Sequence, residues 1–398
     1  MKTLQDAYIV AAARLPVGKK NGMFRHVRPD DMLAQALRAV LAQAPGLDPA
    51  RIGDVIVGCA MPEAEQGMNV ARVGLLLAGL PDSVPGMTIN RFCSSGLQAV
   101  ADAASQIRLG LADVMIAAGT ESMTAMPQIM GNKLAMNPAV FAREENWGIA
   151  YGMGLTAELV AQRWNIDRAA QDAFALESHR RACAAIGAGH FRAETAPYAI
   201  CEHLPDLGTG AVRTVERSVD TDEGPRPDSN LEKLAKLKPV FHAHGSVTAG
   251  NSSQMSDGAA ALLLMSERAV AEHGLAPLAR FAGYAVGGVA PEIMGIGPLA
   301  AIPRVLAQTG LRLEEIDWIE LNEAFAAQSL AVVKELGLDP ARVNPLGGAI
   351  ALGHPLGATG AIRSATAIHG LRRTGGKWGM VTMCIGTGMG AAGIFERV

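Results

Sequence analysis

Along the first 120 residues, short continuous apolar runs alternate with longer stretches whose apolar positions recur every three to four residues. YIVAAA (8–13), DVIVGCA (54–60) and VMIAAG (114–119) are of the first kind and read as buried strands. DDMLAQALRAVLAQA (30–44) is of the second, with Leu33, Ala36, Leu37, Val40, Leu41 and Ala44 on one face. So is the stretch through Leu97, Val100, Ala101, Ala104 and Ile107. This alternation predicts an α/β class with a mostly parallel sheet covered by helices. The rhythm returns from about residue 276: strand ARFAGYAVGG, helix AAIPRVLAQTG, strand IDWIELN, helix AFAAQSLAVVKELG, a glycine-rich turn, a further helix and strand GMVTMCIG.

The two rhythmic parts superpose. IGDVIVG lies over EIDWIEL with Asp54 on Asp317, a shift of 263, and CSSG lies over HPLG with Cys93 on His354, a shift of 261. Each part then runs through a helix to a strand and a glycine turn, AAG in the first and CIG in the second. The pattern reads as a tandem duplication of one α/β domain. Residues 122–250 break the rhythm with a Met-rich loop (MTAMPQIMGNKLAMNPAVF), helices LTAELVAQRW and RAAQDAFALESHRRACAAI, and the irregular DTDEGPRPDSNLEKLAKLKPVF. MSDGAAALLLMS then resumes a buried strand. The expected organisation is a first domain of 1–121 plus 251–275, an inserted loop domain of 122–250, and a second domain of 276–398. Long insertions in such scaffolds carry specificity or assembly contacts.

With 398 residues, 49% hydrophobic, and a formal charge of −3, the chain can bury large cores and shows no electrostatic footprint for nucleic acid. No run of 18 apolar residues or N-terminal targeting pattern stands out, so a soluble, cytoplasmic protein without membrane insertion is expected. The five cysteines are widely spaced, with no C-x-x-C pair, which speaks against a disulfide framework and a zinc site.

Cys93, in NRFCSSGLQAV (90–100), stands at an expected helix N-terminus, where unpaired N–H groups lower a thiol's pKa. Cys59, Cys183 and Cys201 read as core residues. NPLGGAIALGHPLGATG (344–360) holds five glycines around His354, and Pro355 restricts that histidine to extended geometry. Since His354 occupies the place of Cys93 in the other half, pseudo-symmetric packing of the two helices brings a nucleophile and its base to one pocket. Strand MVTMCIGTGMG delivers Cys384 as a second acid or base, and Gly386, Gly388 and Gly390 leave backbone N–H groups for an oxyanion. In LNEAFAA, Asn322 and Glu323 fall between a strand end and a helix start, where plain N-capping is as good a reading as a functional role; Asn322 is assigned to hold a water or an oxyanion. Three weaker patterns are set aside: Gly388–Gly393 as G-x-G-x-x-G, with too few residues after it for a helix; Gly295-Ile-Gly297, which runs into Pro298; and His242-Ala-His244, a metal pair lacking a third ligand.

NRFCSSGLQAV, VTAGNSSQMSDGAAA, LNEAFAAQ, NPLGGAIALGHPLGATG and CIGTGMG, in this order over the whole chain, resemble the thiolase family, and CSSG and MGIGP resemble its degradative 3-ketoacyl-CoA members. The resemblance implies a thiolase fold, a layered α-β-α-β-α core with an inserted loop domain, and thiolytic cleavage through a Cys93 acyl-enzyme. In it His354 takes the Cys93 proton, Cys384 works on the α-carbon, Asn322 holds a water, and the N–H groups of Cys93 and Gly386 form an oxyanion hole. It also implies CoA as co-substrate with no permanently bound cofactor or metal. Arg226 is placed near the adenine or its phosphate, Ser253 on the pantetheine, and Met153 and Phe325 along the tunnel. A homodimer or homotetramer is implied, with a hydratase/dehydrogenase as a further partner, in fatty-acid β-oxidation or aromatic degradation. Gly152 stands where short-chain biosynthetic members carry histidine, and Gln254 where they carry glycine, which argues against an acetoacetyl-only enzyme. The alternatives are an acetoacetyl-CoA or β-ketoadipyl-CoA thiolase, a non-catalytic acyl-CoA carrier, and a ketosynthase-like condensing enzyme.

Overall fold

The computed structural model describes residues 4–126 and 136–398; part of the Met-rich loop therefore lies outside the described residues. In the first half, strand β1 (Ala7–Arg14) leads through the two-residue β2 (Gly18–Lys19) to helix α1 (Pro29–Leu41), β3 (Val55–Gly58), α2 (Val70–Leu77), β4 (Gly86–Ile89), α3 (Ser95–Arg108) and β5 (Val114–Ser122). The interruption contributes α4 (Met153–Arg163), α5 (Arg168–Gly187), the hairpin β6 (Tyr198–Pro205) and β7 (Val212–Val219), and the single turn α6 (Leu231–Ala235). Then follow β8 (Ser256–Ser266), α7 (Glu267–His273), β9 (Ala279–Gly288), α8 (Gly297–Thr309), β10 (Trp318–Leu321), α9 (Ala326–Leu336), the short α10 (Ala349–Leu352), α11 (Leu356–Thr374), β11 (Trp378–Ile385) and β12 (Met389–Arg397).

Strand order shows the repeat. One half runs β4-β3-β5-β8-β1 and the other β10-β11-β12-β9. β3 and β10 are each parallel to their long neighbour, and that neighbour is antiparallel to the next strand in both halves. The ranges Val55–Gly58 and Trp318–Leu321 differ by the offset of 263 read from the sequence. By register Gly58 pairs with Gly119 and Leu321 with Thr382, so the partner of Gly119 is Thr382 and not Gly386 as AAG over CIG had suggested.

One expectation fails here. The sheet is not mostly parallel: β1/β8, β1/β9, β5/β8, β9/β12 and β11/β12 are antiparallel, and only β3/β4, β3/β5 and β10/β11 are parallel among the long pairings. The cause is local, since β12 follows β11 across a three-residue turn, too short for a crossover. The halves are joined edge to edge in one sheet by Tyr8↔Arg280 and Ile9↔Ala279.

Helices α3 and α11 lie together in one apolar layer, through Ala99, Val100, Ala103 and Ile107 of one and Ala361, Ile362, Ala365 and Ile368 of the other. Their crossing is close because both carry glycine there: a Cβ on Gly96 would lie 2.7 Å from the Ala361 nitrogen. Separate clusters fill the outer faces, one built on Leu33, Leu37 and Val40 of α1, the other on Ile302 and Val305 of α8. The inserted stretch is tied to the first half by Arg14, 2% exposed, which pairs with Glu194 at 2.6 Å and bidentately with Asp222 at 2.7 and 2.9 Å. Removing that guanidinium strands two buried carboxylates, a loss of about 3–5 kcal/mol.

Candidate active site

Strand β4 ends at Ile89, and the chain turns into α3 through the 3-10 turn Phe92–Ser94 that contains Cys93. The turn is held by local bonds: Phe92 N donates to Asn90 Oδ1 at 2.8 Å, Arg91 N donates to Ser95 Oγ at 2.8 Å, and Ser95 Oγ donates to Phe92 O at 2.7 Å. Phe92 sits at φ 44°, a conformation bulky residues adopt only when their surroundings impose it. Cys93 is thereby left half-buried and facing the second half.

The expected low pKa of Cys93 is not found. Burial pushes the thiol up to about 11, opposed by the N–H groups of Gly386 and of Cys93 itself. Desolvation of the thiolate outweighs the helix terminus, which acts through a 3-10 turn here. Two backbone donors nonetheless converge on Sγ.

His354 follows Gly353, whose φ of 92° admits no side chain without strain, and is 4% exposed. Its backbone N–H donates to Ser256 Oγ at 3.1 Å, and its Nδ1 lies 2.7 Å from Thr359 Oγ1. The Thr359 hydroxyl donates to Pro355 O at 2.9 Å, so the proton between Nδ1 and Oγ1 belongs to the ring. Nε2 is left as the basic nitrogen, 3.3 Å from Asn322 Nδ2. Burial, with Arg363 second, holds the imidazole down to about 3, so it rests neutral.

Asn322, 1% exposed, follows β10 and donates its backbone N–H to Thr382 O at 2.9 Å. It does not cap α9. Its buried Oδ1 has no hydrogen-bond partner among the described residues, which leaves an acceptor free beside the imidazole. Glu323 does not cap α9 either: it accepts from Ser178 Oγ at 2.6 Å, Asn344 Nδ2 at 2.8 Å and Ile350 N at 3.2 Å, fixing the stretch that leads to His354. Cys384, at the end of β11, is buried, and burial with the neighbouring Cys93 raises its pKa.

A cavity of about 460 Å³ takes Cys93, His354 and Cys384 together, with Met153, Ser253 and Phe325 along its wall. Arg226 is not among its lining residues; it is exposed, its backbone N–H donating to His179 Nδ1 at 3.2 Å. Gly152 is outside as well, exposed with open space around it, whereas Gly154 abuts Phe241 inside. Gln254 does line it, and its amide donates to Gly224, Ile350 and Ala351 carbonyls. The core reading holds for Cys59, which is buried, but Cys183 is half-buried and Cys201 exposed on the hairpin. That hairpin was missed because its inward face, Tyr198, Ile200 and Leu204, is interrupted by Glu202 and β7 is mostly polar and exposed. His242 and His244 meet edge to face at 6.4 Å, and no group of three metal-ligating side chains occurs among the described residues.

Three further residues went unrecognised in the sequence. Thr359 orients His354. Gln328 meets Cys384. Glu121, fully buried, accepts from Ala60 N at 2.7 Å and from Gly357 N at 2.8 Å, so a carboxylate of the first half grips the first turn of α11. All three sit within or beside quoted motifs, and only the fold gives them partners.

Two thiols and an imidazole in an apolar cavity suit the transfer of acyl groups between sulfur atoms. The chain is an acyltransferase that belongs to the thiolase family: the thiolase N-terminal domain matches residues 7–268 and the thiolase C-terminal domain residues 275–397. It is 48% identical to a 3-ketoacyl-CoA thiolase of Bacillus subtilis, covering 99% of this chain and 100% of that one. It is 45% identical to a β-ketoadipyl-CoA thiolase of Pseudomonas aeruginosa, at 99% and 100% coverage. The crystal structure of the Bacillus anthracis acetyl-CoA acetyltransferase superposes with a TM-score of 0.90 at 40% identity, each chain fully covered. The fold is thus the thiolase fold.

Proposed function

We propose that this protein cleaves 3-ketoacyl-CoA with CoA, giving acetyl-CoA and an acyl-CoA two carbons shorter. The observation that carries the reading is the meeting of Cys93, His354 and Cys384 in one cavity whose wall is rich in methionine and phenylalanine. In the first half-reaction the Cys93 sulfur attacks the 3-keto carbon while its proton passes to His354 Nε2. A neutral thiol beside a neutral imidazole makes that transfer part of the attack instead of a prior ionisation. The N–H groups of Cys93 and Gly386 form one oxyanion hole, for the tetrahedral oxygen on Cys93, and the imidazole with a water held by Asn322 forms another, for the enolate oxygen. Collapse breaks the C2–C3 bond, the enolate carbon takes the Cys384 proton, and acetyl-CoA leaves. CoA sulfur then attacks acyl-Cys93, its proton passing to the Cys384 thiolate while His354 returns its proton to the departing Cys93 sulfur, and the shortened thioester leaves.

Ser253, Met153 and Phe325 serve the pantetheine and acyl chain and Arg226 the adenine end; through Met153 and Arg226, residues 122–250 share in CoA binding and also carry assembly contacts. The lining offers no Lys or Arg among the described residues, which favours plain ketoacyl chains over β-ketoadipyl-CoA, whose distal carboxylate asks for a cation. No described helix is long and apolar enough to cross a membrane. The reading is completed by a cytoplasmic homo-oligomer serving fatty-acid β-oxidation. Mass spectrometry after adding 3-ketoacyl-CoA without free CoA tests it: an acyl mass on the Cys93 peptide is expected. In a substrate panel from four carbons upward, longer chains should match or exceed acetoacetyl-CoA in kcat/KM; acylation elsewhere, or activity on acetoacetyl-CoA alone, overturns it.

A further inference from the structure

Cys384 donates its S–H to Gln328 Oε1 at 3.4 Å. The amide at the other end donates Nε2–H to Ser329 Oγ at 2.9 Å, and the Ser329 hydroxyl donates to Phe325 O at 3.1 Å. Cys384, Gln328 and Ser329 are all 0% exposed. A thiol and a thiolate ask opposite things of this amide, since the thiol needs an acceptor and the thiolate a donor. A half-turn of the Gln328 amide supplies the second state. Nε2 then faces Cys384 sulfur, Oε1 faces Ser329, and the Ser329 hydroxyl swings from Phe325 O to Oε1. Phe325 O keeps its bond from Ser329 N, 3.2 Å, so every buried polar atom stays paired in both states.

We propose that Gln328 is a positioning residue for proton transfer at carbon, its amide turning to stabilise Cys384 alternately as thiol and thiolate with Ser329 as the counter-partner. This rests on the role given to Cys384 above. In cleavage the C2–C3 electron pair remains on the enolate carbon, that carbon takes the S–H proton, and the thiolate left at Cys384 is reprotonated by the incoming CoA thiol as its sulfur attacks the acyl group. The titratable groups sharing the cavity are Cys93, His354 and Glu121. Negative charge on Cys93 or Glu121 opposes a thiolate at Cys384, which makes an amide N–H its natural partner.

The test follows deuterium wash-out from the acetyl-CoA methyl group, which reports the carbon acid, beside isotope exchange between acetyl-CoA and CoA, which reports Cys93. In Gln328→Met, similar in length but without a donor, wash-out at neutral pH should fall roughly 10²-fold and its pH limb move up by about two pH units, with exchange within about threefold of wild type. Gln328→Glu, closest in shape, should lose more wash-out than Gln328→Met because its carboxylate repels the thiolate. Equal losses in both assays with an unmoved limb, or Gln328→Glu outperforming Gln328→Met, overturn the proposal and leave Gln328 a packing residue. Should the wild-type protein show neither exchange nor wash-out, the reading of the site as a thiolase centre falls first, and this inference with it.

Discussion

The two halves enter the central layer through equivalent turns that do opposite things to the side chain they carry. Before α3, the turn strains Phe92 to φ 44° and leaves Cys93 half-buried. Before α11, a glycine at φ 92° and Pro355 drop His354 into the interior, where Ser256, Thr359 and Asn322 bond it. A nucleophile must be reachable by a substrate carbon, whereas a base must be held in one tautomer and orientation. Duplication supplied the location twice; the turn chemistry divided the labour. Glu121 links the arrangements, since its carboxylate belongs to the first half and caps the helix of the second.

The largest effects should follow from exchanging sulfur for oxygen on either side of that division. Cys93→Ser should suppress isotope exchange and wash-out alike, by about 10⁴-fold or more, because both half-reactions pass through its thioester. Cys384→Ser should cost about 10² to 10⁴ in wash-out and cleavage while exchange stays measurable, since a serine hydroxyl keeps the size and not the acidity of a thiol. If Cys384→Ser instead stopped exchange as fully as Cys93→Ser while wash-out persisted, the roles of the two thiols would be reversed.

The contrast between the halves was partly legible in the sequence. The offset of 263 laid β3 on β10, and the alignment of Cys93 with His354 named the two facing residues. What the sequence concealed was sheet direction and electrostatics. Hydrophobic runs look the same in parallel and antiparallel strands, so β12 was not told apart from β11, whose end it follows in the opposite direction. The pKa of Cys93 depends on how much water the opposite half excludes, a tertiary quantity that motif spacing does not contain. Gln328 and Thr359 were in plain view within LNEAFAAQ and HPLGAT, but side chains of helices declare their partners only when the helices are placed.

A smaller effect is expected from loosening the base. Thr359→Val removes the acceptor of the Nδ1 proton at constant shape and should lower kcat/KM about tenfold to a hundredfold, the range for a group that orients a functional side chain. Because the imidazole serves both half-reactions, exchange and wash-out should fall together, unlike in Cys384→Ser. The pH profile sharpens the point. An imidazole held down to about 3 by burial stays neutral from about pH 5 upward, so wild-type acylation of Cys93 should be level between about pH 5 and 8. A decline centred near 6.5 would mean that substrate finds the ring solvated and ordinary.

The smallest effect concerns two glycines one residue apart. Gly152, exposed at φ −62° and ψ 145°, has a backbone any residue adopts, and a methyl group there would meet nothing within 4 Å. Gly152→Ala should therefore change kcat/KM by no more than about twofold for any chain length. Gly154, two positions on, lies in the cavity wall, and a methyl there is driven into the Phe241 ring. The clash reaches Cγ at the root of the ring, which also packs edge-on against Phe325, so the strain should lie toward the upper end of the roughly 1–3 kcal/mol typical of overpacking. Because Phe241 lines the same cavity as Met153 and Phe325, its displacement narrows or reshapes the acyl path, and the loss should grow with ketoacyl chain length. Gly154→Ala should thus cost roughly threefold to tenfold on long chains and less on acetoacetyl-CoA. Chain-length profiles of the two variants settle which glycine bears on specificity: a profile altered by Gly152→Ala and untouched by Gly154→Ala would place the acyl chain on the outer side of α4 and not against Phe241.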